Sequence, residues 1–341
     1  MSARMLVDQG SGLVDRFGRR AVDLRVSLTE RCNLRCTYCM PAAGLPFAPA
    51  EALMTADEIA RLVRLGAGEL GIRKVRFTGG EPLLRADLVD VIARCAALPD
   101  APEISLTTNA IGLATRADAL ARAGLRRVNV SLDTVDPDVF RTVTRRPFLE
   151  RVLEGIDAAA AAGLMVKINA VLLRGVNDHT AVDLLRWCLD HGHELRFIEQ
   201  MPLDPGDAWD RTDMITAAWT RELIGNSFDL EPDERPRDAA PAERYAVLQD
   251  GQRLGTVGFI ASVTESFCAD CTRSRLTADG RVRSCLFGNE ETDILGPMRR
   301  GADDAEVLDI WRRAMWAKPL DHGTDQVGFV RPARSMSAIG G

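Results

Sequence analysis

Aromatic residues are scarce in this 341-residue chain: 5 Trp, 2 Tyr and 11 Phe, or 5% of the total. So few rings leave little material for the stacking platforms that single-stranded nucleic acids require. A basic excess is missing as well, since 43 Lys and Arg face 49 Asp and Glu for a net charge of −6. That balance argues against a general nucleic-acid binder. Long apolar runs are also absent. The longest spans Ala158 to Val166, nine residues closed by Lys167, against the roughly 20 that a membrane-spanning helix needs. Near the start, Arg4, Asp8, Arg16, Arg19 and Arg20 leave no apolar stretch between them. Neither a secretory signal nor a membrane partner is therefore expected, and the chain reads as cytoplasmic. The apolar share of 46% with 27% charged residues is ordinary for a soluble protein and suffices to bury a core over more than one domain.

What is present is a repeated alternation. Short apolar strands are expected at Leu24–Leu28, Lys74–Thr78, Glu103–Thr107, Arg127–Leu132, Val166–Leu173 and Leu195–Ile198. Amphipathic helical stretches fall near 55–70, 87–97, 115–123, 148–162 and 178–190. Thr55 and Glu58 form a capping-box pattern, and Gly71, Gly124, Gly163 and Gly192 each stand where a left-handed helix end would precede the next strand. Six strand–helix units imply an α/β fold with parallel strands. Periodicity alone leaves a doubly wound sheet and a barrel both open. Beyond residue 220 the pattern changes. Glu231 to Arg244 carries three prolines and reads as an exposed loop; strands Tyr245–Leu248 and Leu254–Ile260, a hairpin turning at Asp279-Gly280 and a helix from Asp304 to Lys318 follow. The expected division is 1–220, a smaller α+β domain at 221–330, and a tail at 331–341 ending in Gly340-Gly341.

Eight cysteines in a reducing compartment point to metal or redox roles rather than disulfides. Cys32, Cys36 and Cys39 follow the first strand and can converge on one centre from a single loop. Zinc normally completes its shell with a fourth Cys or His, and none follows nearby; three thiolates on a four-iron cube leave one iron open to a ligand. Cys268, Cys271 and Cys285 form a second triplet, for which His322 or Asp270 could complete a zinc site. Cys95 and Cys188 lie on expected helices and read as core residues.

The Cys-x3-Cys-x2-Cys spacing, with Tyr38 before its last cysteine, resembles the motif of the radical S-adenosylmethionine (SAM) superfamily. Thr78-Gly79-Gly80-Glu81-Pro82, after the second strand, resembles that superfamily's glycine-rich segment. The second triplet, with Arg273-Ser274-Arg275-Leu276-Thr277-Ala278-Asp279-Gly280 between its halves, narrows the resemblance to the GTP 3′,8-cyclase family of molybdenum cofactor biosynthesis. It runs from Arg25 to the terminal glycines. The resemblance implies an incomplete TIM-type (β/α)6 barrel with a smaller α+β C-terminal domain carrying a second cluster. Its cofactors would be two [4Fe-4S] clusters, on the two triplets, and SAM at Tyr38, Gly80, Ser131 and Met201.

GTP would be held by Arg25, Arg76, Thr107, Lys167, Arg273 and Arg275, with Arg275, Gly340 and Gly341 taking part in catalysis. Arginines on several strands suit a triphosphate even in an acidic chain, because guanidinium forks contact phosphate in pairs; Arg196 and Arg283 belong to the same basic set. A deoxyadenosyl radical would remove the ribose 3′ hydrogen, and C3′ would then bond to guanine C8. Implied partners are an electron donor and a downstream cyclic pyranopterin monophosphate synthase, with the chain a monomer or homodimer. Ala110, Gln200 and Thr272 depart from the usual pattern. Competing readings are a radical SAM peptide modifier with auxiliary clusters and a zinc-binding module without turnover.

Overall fold

The computed structural model describes residues 12–204, 209–237, 239–324 and 329–339. Its centre is one twelve-stranded sheet. In chain order the strands are β1 (Asp23–Ser27), β2 (Lys74–Thr78), β3 (Glu103–Thr108), β4 (Arg127–Ser131), β5 (Met165–Val171), β6 (Glu194–Ile198), β7 (Asp229–Pro232), β8 (Glu243–Gln249), β9 (Gln252–Ile260), β10 (Arg273–Leu276), β11 (Arg281–Arg283) and β12 (Thr292–Asp293). Helices α1 (Ala56–Glu69), α2 (Leu88–Ala96), α3 (Ala117–Arg122), α4 (Pro137–Thr144), α5 (Leu149–Ala161) and α6 (Ala181–Asp190) connect or follow the first six strands. Then come α7 (Ala217–Gly225), α8 (Leu295–Arg299), α9 (Asp304–Trp316) and the short α10 (Met336–Ile339).

Strands β1 to β6 lie side by side in sequence order and pair in parallel. A doubly wound sheet would reverse its strand order at a switch point; this one runs in a single direction, as an incomplete (β/α)6 barrel does. The strand order thus excludes the doubly wound sheet and is consistent with a barrel. One face of these strands is apolar, with Leu24, Val26, Val75, Phe77, Leu106, Val128, Val130, Ile168 and Leu195 buried beneath the helices, while the alternating positions between them turn to the opposite face. The capping box is present, Glu58 N–H donating to Thr55 Oγ1 at 3.2 Å and Thr55 N–H to Glu58 Oε2 at 2.7 Å. All four expected helix-end glycines have positive φ.

Two things were not anticipated. Between β4 and β5 stand two helices, α4 preceding the expected α5. Its start is encoded by Asp136, whose carboxylate accepts from the Asp138 and Val139 N–H groups, and by Pro137 at the first helical position. Among the described residues, moreover, the C-terminal segment builds no sheet of its own. Strand β10 pairs in parallel with β1, and β9 in parallel with β6, so C-terminal strands extend both edges of the same sheet. The first residues of the expected proline-rich loop belong to edge strand β7, and the expected boundary near 220 falls inside α7.

Candidate active site

The first cysteine triplet is held from two sides. On one side the glycine segment after β2 presses on its backbone: Gly80 N–H donates to Thr29 O and Glu81 N–H to Arg31 O, each at 2.7 Å. A Cβ at Gly80 would lie 2.4 Å from Arg31 O and 2.6 Å from Glu30 O, a clash no rotamer relieves. On the other side the end of α4 accepts two bonds, Arg35 N–H to Thr144 O at 3.0 Å and Thr37 N–H to Val143 O at 2.9 Å. The Arg145 guanidinium then caps Arg35 O and Met40 O. Glu81, fully buried, ties this loop to the end of β3 by accepting from Leu83 N–H, Thr108 Oγ1 and Asn109 N–H at 2.6–2.9 Å. Burial raises its carboxyl to about 7 against those donors. Asn109 Nδ2 in turn lies 3.8 Å from Cys32 Sγ.

A cavity of about 1320 Å³, open mouth included, lies on the inner face of the sheet. Arg25 on β1, Arg76 on β2, Thr107 on β3, Ser131 on β4, Asn169 on β5 and Arg196 on β6 all reach it, as do Arg273 and Arg275 on β10. The sheet is therefore curved around one space. Several of these side chains hold buried polar atoms without a hydrogen-bond partner: Nε of Arg25, Arg76 and Arg196, Oγ1 of Thr107 and Oδ1 of Asn169. A buried unpartnered donor costs free energy unless a ligand completes it. The arginines also repel one another. Burial, then Arg76, pushes Arg25 down to about 9 despite Asp23, and burial pushes Arg76 and Arg196 to about 10. All remain charged at neutral pH. Asp23, held below the usual carboxylate range by these cations against its burial, is a carboxylate within the cluster that sequence reasoning did not single out. The surplus of buried positive charge is what a polyphosphate would neutralise.

At the far wall Tyr38 donates its hydroxyl to Asp133 Oδ2 at 2.8 Å, while Asp133 Oδ1 accepts from Val171 N–H at 2.9 Å. Burial raises Asp133 to about 6. Tyr38, Ser131 and Met201 all line the cavity. Asp133 went unrecognised in the sequence, although it ends the Ser131-Leu132-Asp133 stretch.

Cys268, Cys271 and Cys285 line the same cavity. Their surroundings are cationic where those of the first triplet are acidic. Buried Lys318 donates to Cys271 O and Arg273 O, and Arg19 Nη1 donates to Cys268 O at 2.7 Å. Burial raises the Cys271 thiol, but Arg273 and Lys318 outweigh it and bring the group to about 6. In the first triplet burial lifts Cys32 to about 11 and Cys39 to about 12, and with Asp133 nearby it lifts Cys36 as well. All eight cysteines are free thiols. Cys95 and Cys188 are fully buried core residues as expected, whereas the six triplet cysteines are half-buried. Among the described residues no three His, Cys, Asp or Glu side chains are arranged to hold a metal ion. Three free thiols on one supporting loop fit the donor set of a three-cysteine iron–sulfur site.

Not every expected site residue reaches the cavity. Gly80 packs against the first cysteine loop. Lys167 places Nζ 2.8 and 2.9 Å from the two carboxylate oxygens of Glu194 and is not part of the cavity wall. Arg283, from the wider basic set, is 1% exposed and bound to Glu291 and to Gly288 O, so it braces the loop after Cys285. Gly340 and Gly341 lie outside the described residues. The segment before them is anchored: Ile339 packs with Leu203 and Phe287, and Met201, Cys285 and Met336 join that cluster.

Fold and motif together define a class. Residues 26–188 match the radical SAM superfamily, and residues 193–324 match the family described as Molybdenum Cofactor Synthesis C. A GTP 3′,8-cyclase from Paenarthrobacter nicotinovorans is 55% identical, with 100% of both chains covered. One from Mycolicibacterium smegmatis is 56% identical over 96% of this chain and 92% of its own. The chain belongs to the GTP 3′,8-cyclase family. Streptococcus suis SuiB, solved bound to S-adenosylmethionine, shares the fold at a TM-score of 0.61 with 15% identity, over 90% of this chain and 68% of its own. Among the described residues no helix is long and apolar enough to cross a membrane.

Proposed function

We propose that this protein converts GTP to (8S)-3′,8-cyclo-7,8-dihydroguanosine 5′-triphosphate, the first step of molybdenum cofactor biosynthesis. The observation that carries the reading is the set of arginines, Arg25, Arg196 and Arg275 buried and Arg76 and Arg273 half-buried, facing one cavity beside the second cysteine triplet. In this reading the arginines hold the triphosphate, and the thiols of Cys268, Cys271 and Cys285 hold a second [4Fe-4S] cluster against the guanine end. Cys32, Cys36 and Cys39 hold the SAM-binding cluster. The chemistry it would supply when bound is reductive cleavage of SAM to methionine and a 5′-deoxyadenosyl radical, which takes the 3′ hydrogen of GTP to become 5′-deoxyadenosine; C3′ then joins C8, and a second electron from the donor with a proton from solvent completes the dihydro product.

The protein's own contribution is alignment and shelter. Tyr38 and Ser131 line the SAM end, with Tyr38 fixed by Asp133, while Arg25, Arg76 and Arg275 set the phosphates on the opposite strands. Holding two ligands at fixed separation replaces a rare encounter with an intramolecular step. Met201, Phe287 and Met336 form an apolar wall that keeps water from the reacting atoms. The cyclised nucleotide would pass to a cyclic pyranopterin monophosphate synthase, and a one-electron donor would serve the first site.

The test is anaerobic incubation with SAM, dithionite and GTP, followed by chromatographic separation and fragment-mass analysis of the nucleotides. Wild type should yield an isomer of GTP together with 5′-deoxyadenosine. The Cys268→Ser, Cys271→Ser, Cys285→Ser triple variant should lose about half of its iron and form 5′-deoxyadenosine without the cyclised product. Full product yield from that variant would remove the second triplet from the reaction.

A further inference from the structure

We propose that Arg334 is a positioning residue that fixes the C-terminal segment and both cysteine-bearing loops in one register. Its guanidinium meets three carboxylates from three separate places in the chain. Nη2 and Nη1 contact the two oxygens of Asp279 at 2.7 and 3.1 Å, Nη1 also reaches Glu30 Oε1 at 3.4 Å, and Nε reaches Glu291 Oε1 at 2.9 Å. Glu30 lies two residues before Cys32. Asp279 sits in the β10–β11 turn, between Cys271 and Cys285. Glu291 follows Cys285 by six residues. One planar group thus joins the loops that carry both triplets.

The carboxylates are themselves anchored. Glu291 also binds buried Arg283, and Asp279 binds Arg281. Side-chain exposures of 15–25% across Arg334 and its three partners set this network apart from a solvated ion pair. A guanidinium presents five donors in a rigid fork and can serve three acceptors at once; an ammonium on the same stem is a single point.

Directly after Arg334 the chain turns into the site. The Ser335 and Ser337 hydroxyls are 2.9 Å apart, Met336 N–H donates to Leu203 O at 3.3 Å, and the Ser337 backbone faces Cys39, whose thiol it lowers against burial. Met336 lines the cavity and Ile339 is 1% exposed. Arg334 is therefore the last fixed point before the segment that touches the first triplet through Ser337 and packs beside Cys285 through the Met336 and Ile339 cluster. Without it, three carboxylates would face one another with one cation fewer, and the segment would lose its tether.

The coupling arm of the test rests on the cyclase reading; the exchange arm does not. Reconstituted wild type, Arg334→Gln and Arg334→Lys are compared anaerobically for iron content, melting temperature, amide exchange at Met336, Ala338 and Ile339, and 5′-deoxyadenosine formed per cyclised GTP. Arg334→Gln should keep its iron and melt only slightly lower, remaining folded at the assay temperature. Exchange at the three amides should quicken at least tenfold, and the ratio of 5′-deoxyadenosine to product should rise severalfold. Arg334→Lys should recover part of both. Unchanged exchange and ratio in Arg334→Gln overturn the proposal. So does a variant whose iron and melting temperature fall in step with its activity, which would make the contact merely structural. A wild-type enzyme that cyclises no GTP refutes the proposed function instead, and exchange alone then decides on Arg334.

Discussion

Replacing Arg25 with Met should make the ligand-free protein more stable and its GTP complex weaker. Arg25 is 8% exposed, its Nε has no hydrogen-bond partner, and burial with the Arg76 charge depresses it to about 9, well below the ordinary guanidinium range. A cation whose folded value is depressed destabilises the fold at every pH below that value, and the cost is relieved as pH rises through about 9. At about 1.4 kcal/mol for each pH unit that depression amounts to roughly 5 kcal/mol with the attraction to Asp23 already counted, an upper bound on the gain. A net gain of even about 1 kcal/mol would raise the melting temperature by roughly 2–4 °C in a domain of about 150–250 residues, and somewhat less here. Ligand binding should move the other way. Losing a hydrogen bond to a charged phosphate costs about 1.5–3 kcal/mol, or roughly 10- to 150-fold in affinity. Thermal melts near neutral pH, with anaerobic calorimetry for GTP and for guanosine, measure both effects. An Arg25→Met protein that melts lower than wild type and binds GTP and guanosine with equal losses would show that the charge shapes the fold rather than waiting for phosphate.

Gly80→Ala should cost the first triplet its iron and spare the second, because the added methyl would stand 2.4 Å from Arg31 O and displace the loop leading to Cys32; iron counting and electron paramagnetic resonance of the reduced protein would check this. Lys167→Met should lower the melting temperature by breaking the half-buried pair with Glu194. It should weaken GTP binding far less than Arg25→Met, and an equal loss of affinity in both variants would restore Lys167 to the phosphate site.

Much of the architecture was legible because it depends on local signals. The six strands appear where apolar runs stop at turn residues, and Thr55 with Glu58 marks the start of α1 outright. Helix α4 escaped because a short helix carries little periodicity, although Asp136-Pro137 announced its start. The pairing of β10 with β1 was not legible, since nothing in either strand names a partner so far along the chain. At the site, cysteine spacing identified both triplets. Family likeness supplied Arg25, Arg76, Thr107, Ser131 and Met201, and the fold brings all five to one cavity. Asp133, Asp23 and Asn169 were missed because a single carboxylate or amide on or beside a strand looks like any solvated polar group until the fold sets it beside the arginines and the cysteine loop. Lys167 shows the opposite case: its strand position suited a phosphate ligand, but Glu194 on the adjacent strand takes both of its strongest contacts.

The placement of β10 against β1 has a consequence for how the molecule is made. Residues 23–27 leave the ribosome early, yet one flank of β1 stays bare until residues 273–276 have been synthesised and have returned to pair with it. So remote a pairing must close a long loop before it gains anything, which makes it a late event in folding. Until then an unpaired strand edge stands beside the loop that bears Cys32, Cys36 and Cys39, exposed to mispairing with other chains. Metal loading at those thiols is therefore best timed after the whole polypeptide has been released. A fragment ending near residue 220 would be a sheet missing strands at both margins, not a smaller working barrel.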